Sequence, residues 1–288
     1  MGDELKFKIT MTIFGGNIEI LEISTNLTFL PRNDNVNFAS SFMKLKENLD
    51  KIRADDVDFD DKFENERYWM NEDKAPCTYI EIFENEIINM SIFVLKPGFK
   101  MPLHDHPQMH GLLKVISGTV GIRTFSEIQS GNTNSDIGNF PTERNNPEQS
   151  KFRSLIAHVT DQKICDAESE SCILTPEISN FHEIEALGGP SAFLDILAPP
   201  YSVRLNDYEL RECHYYRQVR EISKDTVELE GIRSPQWFFC DTAGHSAWVH
   251  PGVACSIPRL AKSSTQHKQH FRLSVVAVGN FQTLLGYS

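Results

Sequence analysis

From Thr78 onward, apolar and polar side chains follow a spacing of two, in short runs closed by turn signals. Tyr79-Ile80-Glu81-Ile82-Phe83 ends at a polar turn around Asn85, and Ile88 to Leu95 stops at Lys96-Pro97-Gly98. Leu112 to Ile116 enters Ser117-Gly118 and leaves through Thr119 to Ile122, a pattern that reads as a hairpin. Ile173-Leu174, Phe181 to Ala186 and Ala192 to Leu197 add further strands. Ahead of them the period changes. Phe38, Phe42, Leu45, Leu49 and Ile52 recur at spacings of four and three behind the N-cap candidates Asn33, Asp34 and Asn35. This predicts an N-terminal amphipathic helix whose apolar stripe docks against the chain's own sheet. No strand alternates with a helix in the manner that builds parallel sheets. The predicted fold is therefore all-β, an antiparallel sandwich or barrel of the jelly-roll type. Residues 1–33 read as a lead, either an edge strand or a flexible segment, and the polar residues 129–151 as a surface insertion between two strands.

With 40% hydrophobic and 24% charged residues over 288 positions, the chain has the apolar area for a real core. Its 28 Lys and Arg stand against 40 Asp and Glu, and the net charge of −12 repels phosphate backbones and anionic lipid. No nucleic-acid partner is expected. Nor is a membrane partner: no stretch approaches the roughly 18 consecutive apolar residues of a span, and the first residues lack the pattern of a secretory signal. Cys77, Cys165, Cys172, Cys213, Cys240 and Cys255 are scattered without framework spacing, so reduced thiols and a cytoplasmic monomer are the expectation. Residues 241–288 carry one acid and four bases, a net of +3, and read as a divergent C-terminal tail beyond a domain spanning 34–240. Cys240, His245, His250 and Cys255 fall at five-residue intervals. Structural zinc motifs usually pair their ligands in a more compact knuckle, and the interval is read as chance.

The histidines carry the chemistry. Pro97-Gly98 and five further residues lead to His104-Asp105-His106-Pro107-Gln108-Met109-His110-Gly111, and the pattern closes at Gly118. If this segment is extended, His104 and His106 point to one face and Asp105 to the other. Two imidazoles on one face form one edge of a metal site, and a barrel wall can bring His182, from Asn180-Phe181-His182-Glu183-Ile184, across to the pair. His110, past the turn at Pro107, is expected to brace that turn rather than to bind metal. An isolated HxH is more often chance than site. A glycine turn, an HxH strand, a glycine hairpin and then a strand with a histidine is, however, the two-block order of the cupin barrels.

The runs PLHDHPQMHGLLKVISGTV, ILTPEISNFHEI, FLDILAPPY and CHYYR resemble the cysteamine dioxygenase and plant cysteine oxidase family of thiol dioxygenases. The resemblance covers roughly residues 34–220 and fades beyond Arg220, apart from a scrap at Phe238 to Thr242. It implies a cupin-type antiparallel double-stranded β-barrel, non-haem Fe(II) held by His104, His106 and His182, and O2 as co-substrate. Most cupins carry a glutamate where this chain has Gly111, so the carboxylate ligand is missing, as it is in this family. Three neutral imidazoles leave the full +2 on the metal and favour an incoming thiolate. The implied reaction adds both atoms of O2 to the sulfur of a small aminothiol such as cysteamine, or of an N-terminal cysteine in a peptide or protein, giving a sulfinic acid. Sulfur supplies all four electrons, so no NAD, flavin or 2-oxoglutarate is needed. The second substrate class would make the protein an oxygen sensor.

Four further residues are candidates around the metal. Asp195, in the apolar run Phe193-Leu194-Asp195-Ile196-Leu197, needs a partner. It is either a structural group, salt-bridged or bonded to a ligand histidine, or a group that orients an imidazole or steers the substrate's ammonium. Tyr201 matches a family tyrosine whose hydroxyl could assist oxygen activation; packing is the simpler reading. Cys213 and Tyr215 share a strand face and resemble a pair that can form a thioether crosslink. Two rival readings stand beside the enzyme. One is a non-catalytic cupin that binds a metal, a small ligand or a partner. The other is a chain whose unusual tail displaces the family's C-terminal strands.

Overall fold

The computed structural model describes residues 7–12, 21–23, 35–85, 88–128, 153–205, 211–244 and 272–277. The elements in chain order are β1 (Phe7–Thr12), β2 (Leu21–Ile23), α1 (Asn35–Leu49), α2 (Glu66–Trp69), β3 (Cys77–Glu84), β4 (Asn89–Leu95), β5 (Lys100–Asp105) and β6 (His110–Ser117). There follow β7 (Thr119–Glu127), β8 (Ser154–Asp166), β9 (Cys172–Leu174), β10 (Phe181–Ala186), β11 (Ser191–Ala198), β12 (Tyr215–Ser223), β13 (Thr226–Ile232), β14 (Cys240–Gly244) and β15 (Arg272–Ala277). The chain divides into two units, residues 1–60 with 244–288, and residues 61–243. The insertion 129–151, and His245, His250 and Cys255 of the five-residue interval, lie outside the described residues.

In the first unit β1 pairs antiparallel with β2 and, from Phe7↔Ala277 to Thr12↔Arg272, with β15. The predicted helix is α1. Phe42 and Leu45 are half-buried and Leu49 and Ile52 buried, as the spacing requires. No described helix is long and apolar enough to cross a membrane.

The second unit is the predicted jelly roll. Six antiparallel strands close a ring in the order β10-β5-β12-β13-β8-β7, and an open sheet runs β14-β3-β4-β11-β6-β9. In the middle of the open sheet, β11 is flanked by β4 and β6 and is buried at every position but its last, which is why its sequence is almost wholly apolar. Between ring and sheet, Met101, Val120, Ile122, Ile184 and Ala186 of the ring meet Cys77, Leu95, Leu113, Val115 and Phe193 of the sheet. A second cluster, with Leu103, Phe125, Phe181, Tyr216 and Leu229, fills the ring itself.

One expectation is corrected. The chain from Leu112 to Ile122 is not a hairpin: β6 pairs with β11 and β9, whereas β7 pairs with β10 and β8. Gly118 is a corner at which the chain leaves the open sheet for the ring. Its φ of 70° favours glycine, and a Cβ there would lie 2.3 Å from the Pro190 carbonyl oxygen. A corner and a two-residue hairpin ask for the same glycine, so the local sequence does not separate them.

Candidate metal centre

The centre begins with an irregularity in β5. Across from β10, His182 pairs with His104 but Ile184 pairs with Met101, so β5 carries one residue more than its partner at this point. Pro102 lies in that bulge, where a strand tolerates a residue without an N–H. The extra residue re-aims the side chains. Met101 joins the core between ring and sheet while Leu103 joins the core within the ring. The Pro102 carbonyl is brought to 2.8 Å from His104 Nδ1.

Beyond the bulge, His104, His106 and His182 are all buried, and their rings stand 4.6 to 4.9 Å apart. The His182 Nε2 is 3.2 Å from the Nε2 of both His104 and His106. Hydrogen bonds behind the rings fix which nitrogen carries the proton. His104 Nδ1 donates to the Pro102 carbonyl, leaving a lone pair on Nε2. The Tyr201 hydroxyl donates to the Asp105 carbonyl at 2.6 Å, so its oxygen accepts from His106 Nδ1 at 2.9 Å, and His106 Nε2 also presents a lone pair. Both lone pairs face His182 Nε2, which carries at most one proton. At least one of the two 3.2 Å contacts therefore sets lone pair against lone pair, an arrangement that a cation at the centre relieves. For ligand bonds of roughly 2.0–2.1 Å, nitrogens 3.2 Å apart subtend about 100° at a common ion, a normal ligand angle. Burial holds all three imidazoles below the usual histidine pKa, and mutual repulsion pushes His106 and His182 down further. The donor set thus fits a divalent metal. No other group of three histidine, cysteine or acidic side chains gathers in this way among the described residues.

A carboxylate ligand from position 111 is shut out. A Cβ on Gly111 would lie 2.8 Å from Leu174 Cγ and 3.0 Å from Leu197 Cδ2, so the place of the usual cupin glutamate is filled by leucine side chains. His110 opens β6 and stands outside the cluster.

The opposite face of β5 holds the aspartate of the HDH run. The Asp105 carboxylate accepts the His214 backbone N–H at 2.7 Å, lies 3.1 and 3.2 Å from His214 Nδ1, and accepts the Tyr216 hydroxyl at 3.0 Å. These bonds set β12 against β5. Tyr215 then falls opposite His104, its ring 6.4 Å away, with Cys213 hydrogen-bonded to the Tyr201 and Tyr215 hydroxyls. Burial pushes the Cys213 thiol up to about 12. Cys213 and Tyr215 border a cavity of about 540 Å³ that also takes in Asp105, His214 and Tyr216.

Asp195 faces the same interior as the histidines. It lies directly across from Leu113 of the core between ring and sheet, and directly paired residues share a face. Its carboxylate is buried, Oδ1 has no hydrogen-bond partner, and burial raises its pKa to about 7. Among the described residues Asp195 thus has no salt bridge, and its Oδ1 makes no bond to a ligand histidine.

Sequence reasoning missed Asn180. Its Oδ1 accepts the His106 N–H at 3.1 Å, and its Nδ2 donates to the carbonyls of His106 and Thr175, each at 2.8 Å. This clamp fixes the backbone of one ligand from the approach to the strand that carries another. The only local signal is a polar residue just before an apolar strand.

The chain is similar to known proteins over much of its length. Residues 48–253 match the PCO_ADO family, so the match continues past Arg220, where the resemblance was expected to fade. The chain is 35% identical over 188 residues to the 2-aminoethanethiol dioxygenase of Homo sapiens, spanning 64% of this chain and 68% of that protein. It is 26% identical over 168 residues to plant cysteine oxidase 2 of Arabidopsis thaliana, spanning 58% and 54%. Among solved structures, a cupin superfamily protein from Desulfitobacterium hafniense aligns over 45% of this chain and 84% of its own, with 10% identity and a TM-score of 0.28.

Proposed function

The chain belongs to the PCO_ADO family of thiol dioxygenases, and on that premise we propose that His104, His106 and His182 hold ferrous iron for the conversion of a thiol and O2 to a sulfinic acid. The observation that carries the reading is the convergence of three neutral Nε2 atoms, two of them 3.2 Å from the third, with no room at Gly111 for a carboxylate. Ferrous iron held by these three imidazoles would supply Lewis-acid and redox chemistry toward a thiol and dioxygen, its positive charge favouring the thiolate. The overall reaction balances without a further reductant: RSH and O2 give RSO2H.

The protein's own side chains set up that reaction. Pro102 and Tyr201 fix the tautomers of His104 and His106, and Asn180 fixes the backbone of His106. Asp195 offers a buried carboxylate that lacks a counter-charge, the natural seat for the ammonium that cysteamine and an N-terminal cysteine share. Tyr201 presents its hydroxyl to the Nδ1 side of His106, so we assign it first to positioning that ring. Cys213 and Tyr215 share a face beside His104 and are hydrogen-bonded to each other, as a pair that can form a thioether requires. The substrates are small aminothiols or chains that begin with cysteine, the site being cytoplasmic in this reading and, for the second class, oxygen-sensing.

Anaerobic loading with Fe(II), followed by oxygen and either cysteamine or a Cys-initiated peptide, tests the proposal. The expected result is a mass gain of two oxygen atoms on the substrate. Full iron occupancy with no oxidised thiol would favour a metal-binding protein without catalysis.

A further inference from the structure

Among the described residues the open sheet ends at β14, which pairs there with β3 alone. An edge strand is the least supported part of a sheet and the first to open. Cys240, at its start, is partly exposed, and its thiol is hydrogen-bonded to that of Cys77, which opens β3 and is wholly buried. Just before Cys240 runs an aromatic strip. Trp237 and Phe239 are each 54% exposed, while Phe238 meets Tyr215 edge-on at 5.9 Å and stacks on Phe99 at 6.3 Å. Tyr215 in turn lies 6.4 Å from His104. Whatever fixes Cys240 therefore fixes one end of a strip that packs on the flank of the candidate metal centre.

We propose that Cys77 and Cys240 form a modification site, an oxidisable dithiol that low-molecular-weight disulfides convert to a reversible crosslink tying β14 to β3. The Cys240 thiolate attacks one sulfur of the external disulfide, breaks its S–S bond and expels one thiolate. Cys77, its proton passed to that thiolate, then attacks the Cys240 sulfur and expels the second. Two protein thiols are oxidised and one external disulfide is reduced to two thiols.

The order of attack follows from accessibility. The Cys77 S–H stabilises a thiolate on Cys240, which lowers the pKa of Cys240, and Cys240 is the member of the pair that solvent reaches. Cys77, raised by that same hydrogen bond and by burial, is suited to the resolving step. A second pair shows the reverse. Contact with Cys172 brings Cys165 down to about 7, but Cys165 is only 3% exposed, while Cys172, the more open partner, is the thiol pushed up. Among the described cysteines, activation and access fall on one sulfur only at Cys240.

The site stands apart from the dioxygenase reading, and its test needs no turnover. The full chain is incubated without oxygen with glutathione disulfide, quenched by alkylation and mapped by peptide mass. The expected product joins the peptides of Cys77 and Cys240 and is reversed by dithiothreitol. Amide exchange across residues 237–242 slows at least about tenfold in the crosslinked form. Cys77→Ser accumulates the mixed disulfide on Cys240, and Cys240→Ser leaves Cys77 unmodified. A first link between Cys165 and Cys172, no link at Cys77, or a Cys77→Ser variant that takes up no glutathione would overturn the proposal.

Discussion

The two faces of β5 solve one problem in opposite ways. On one face the Asp105 carboxylate is buried but complete, its oxygens receiving a backbone N–H, an imidazole and a phenol. On the other, His104 and His106 are equally buried but incomplete, their lone pairs turned on a third imidazole. A buried polar group is costly unless it is satisfied. The finished face therefore holds the fold, and the unfinished face marks where something else enters. Asp195, buried with a bare oxygen, belongs with the unfinished side. The contrast can be broken or sharpened by substitutions on either side.

The largest effect is expected at His182, which both other ligands face. His182→Ala should take metal binding below detection in equilibrium dialysis, and turnover with it. The loss should exceed the roughly 10–100-fold that follows when only an outer hydrogen-bond partner of a metal ligand is removed. Stability without metal should change far less, because the imidazole makes no bond there that the fold depends on. Retained stoichiometric metal would remove the basis for calling that face unfinished.

Asp105→Ala attacks the finished face. It strands the Tyr216 hydroxyl and the His214 N–H, and should cost about 3–5 kcal/mol in urea denaturation. A loss below about 1 kcal/mol would show that β12 is held against β5 by something other than this carboxylate.

Asp195→Asn should do the reverse. Burial raises the folded pKa from 3.8 to about 7, so between those values the unfolded chain is ionised while the folded one keeps its proton. Stability is therefore lost as pH rises through this window, by about 4 kcal/mol in all. The asparagine variant should match the parent near pH 4 and exceed it by about 1–3 kcal/mol at pH 8, part of the gain being offset by the amide's own need for partners. If the carboxylate seats an ammonium, the same variant should raise KM for aminothiols. The metal-free histidines pull the other way. Their folded pKa values lie below the ordinary 6.5, so the unfolded chain takes up protons first, and stability falls as pH drops below about 6.5, by up to about 1.4 kcal/mol per unit for each histidine. The two windows overlap below about pH 6.5, where the Asp195 slope partly cancels that of the histidines, so in urea denaturation across pH 4–8 Asp195→Asn should lose stability on acidification more steeply than the parent, by up to about 1.4 kcal/mol per unit.

What the sequence shows of this follows from range. Alternation marks β3 and β10, each burying one face, and unbroken apolar runs mark β4 and β11, which are buried at nearly every position. Alternation misses β8, whose long middle stretch is solvent-exposed and polar, and β12, which buries little beyond Tyr216, while β13 does alternate, with Val227 and Leu229 buried. His104 and His106 are readable at a spacing of two. His182 is readable only as a histidine that a barrel wall could bring across, in the two-block order and then the family resemblance, since the pairing of β10 with β5 is decided seventy-odd residues away. Asn180 and the partners of Asp105 are invisible for that reason: each depends on a strand register that no local pattern encodes.

The smallest predicted effect is also the most discriminating for mechanism. The Tyr201 hydroxyl lies behind His106, 2.9 Å from Nδ1, with its own hydrogen given to the Asp105 carbonyl. It ties the two faces of β5 together, taking an N–H from the unfinished side and bonding the backbone of the finished one. Tyr201→Phe removes that acceptor and leaves the ring free to shift its tautomer. If the hydroxyl acts by positioning, metal affinity should fall about tenfold, stability by about 1 kcal/mol, and kcat at saturating metal should stay within a few-fold of the parent. A large fall in kcat with metal affinity intact would instead move the hydroxyl from the ring to the oxygen chemistry. Titration of metal followed by turnover at full occupancy separates the two, because positioning acts through the His106 nitrogen and vanishes once the metal holds that ring in place.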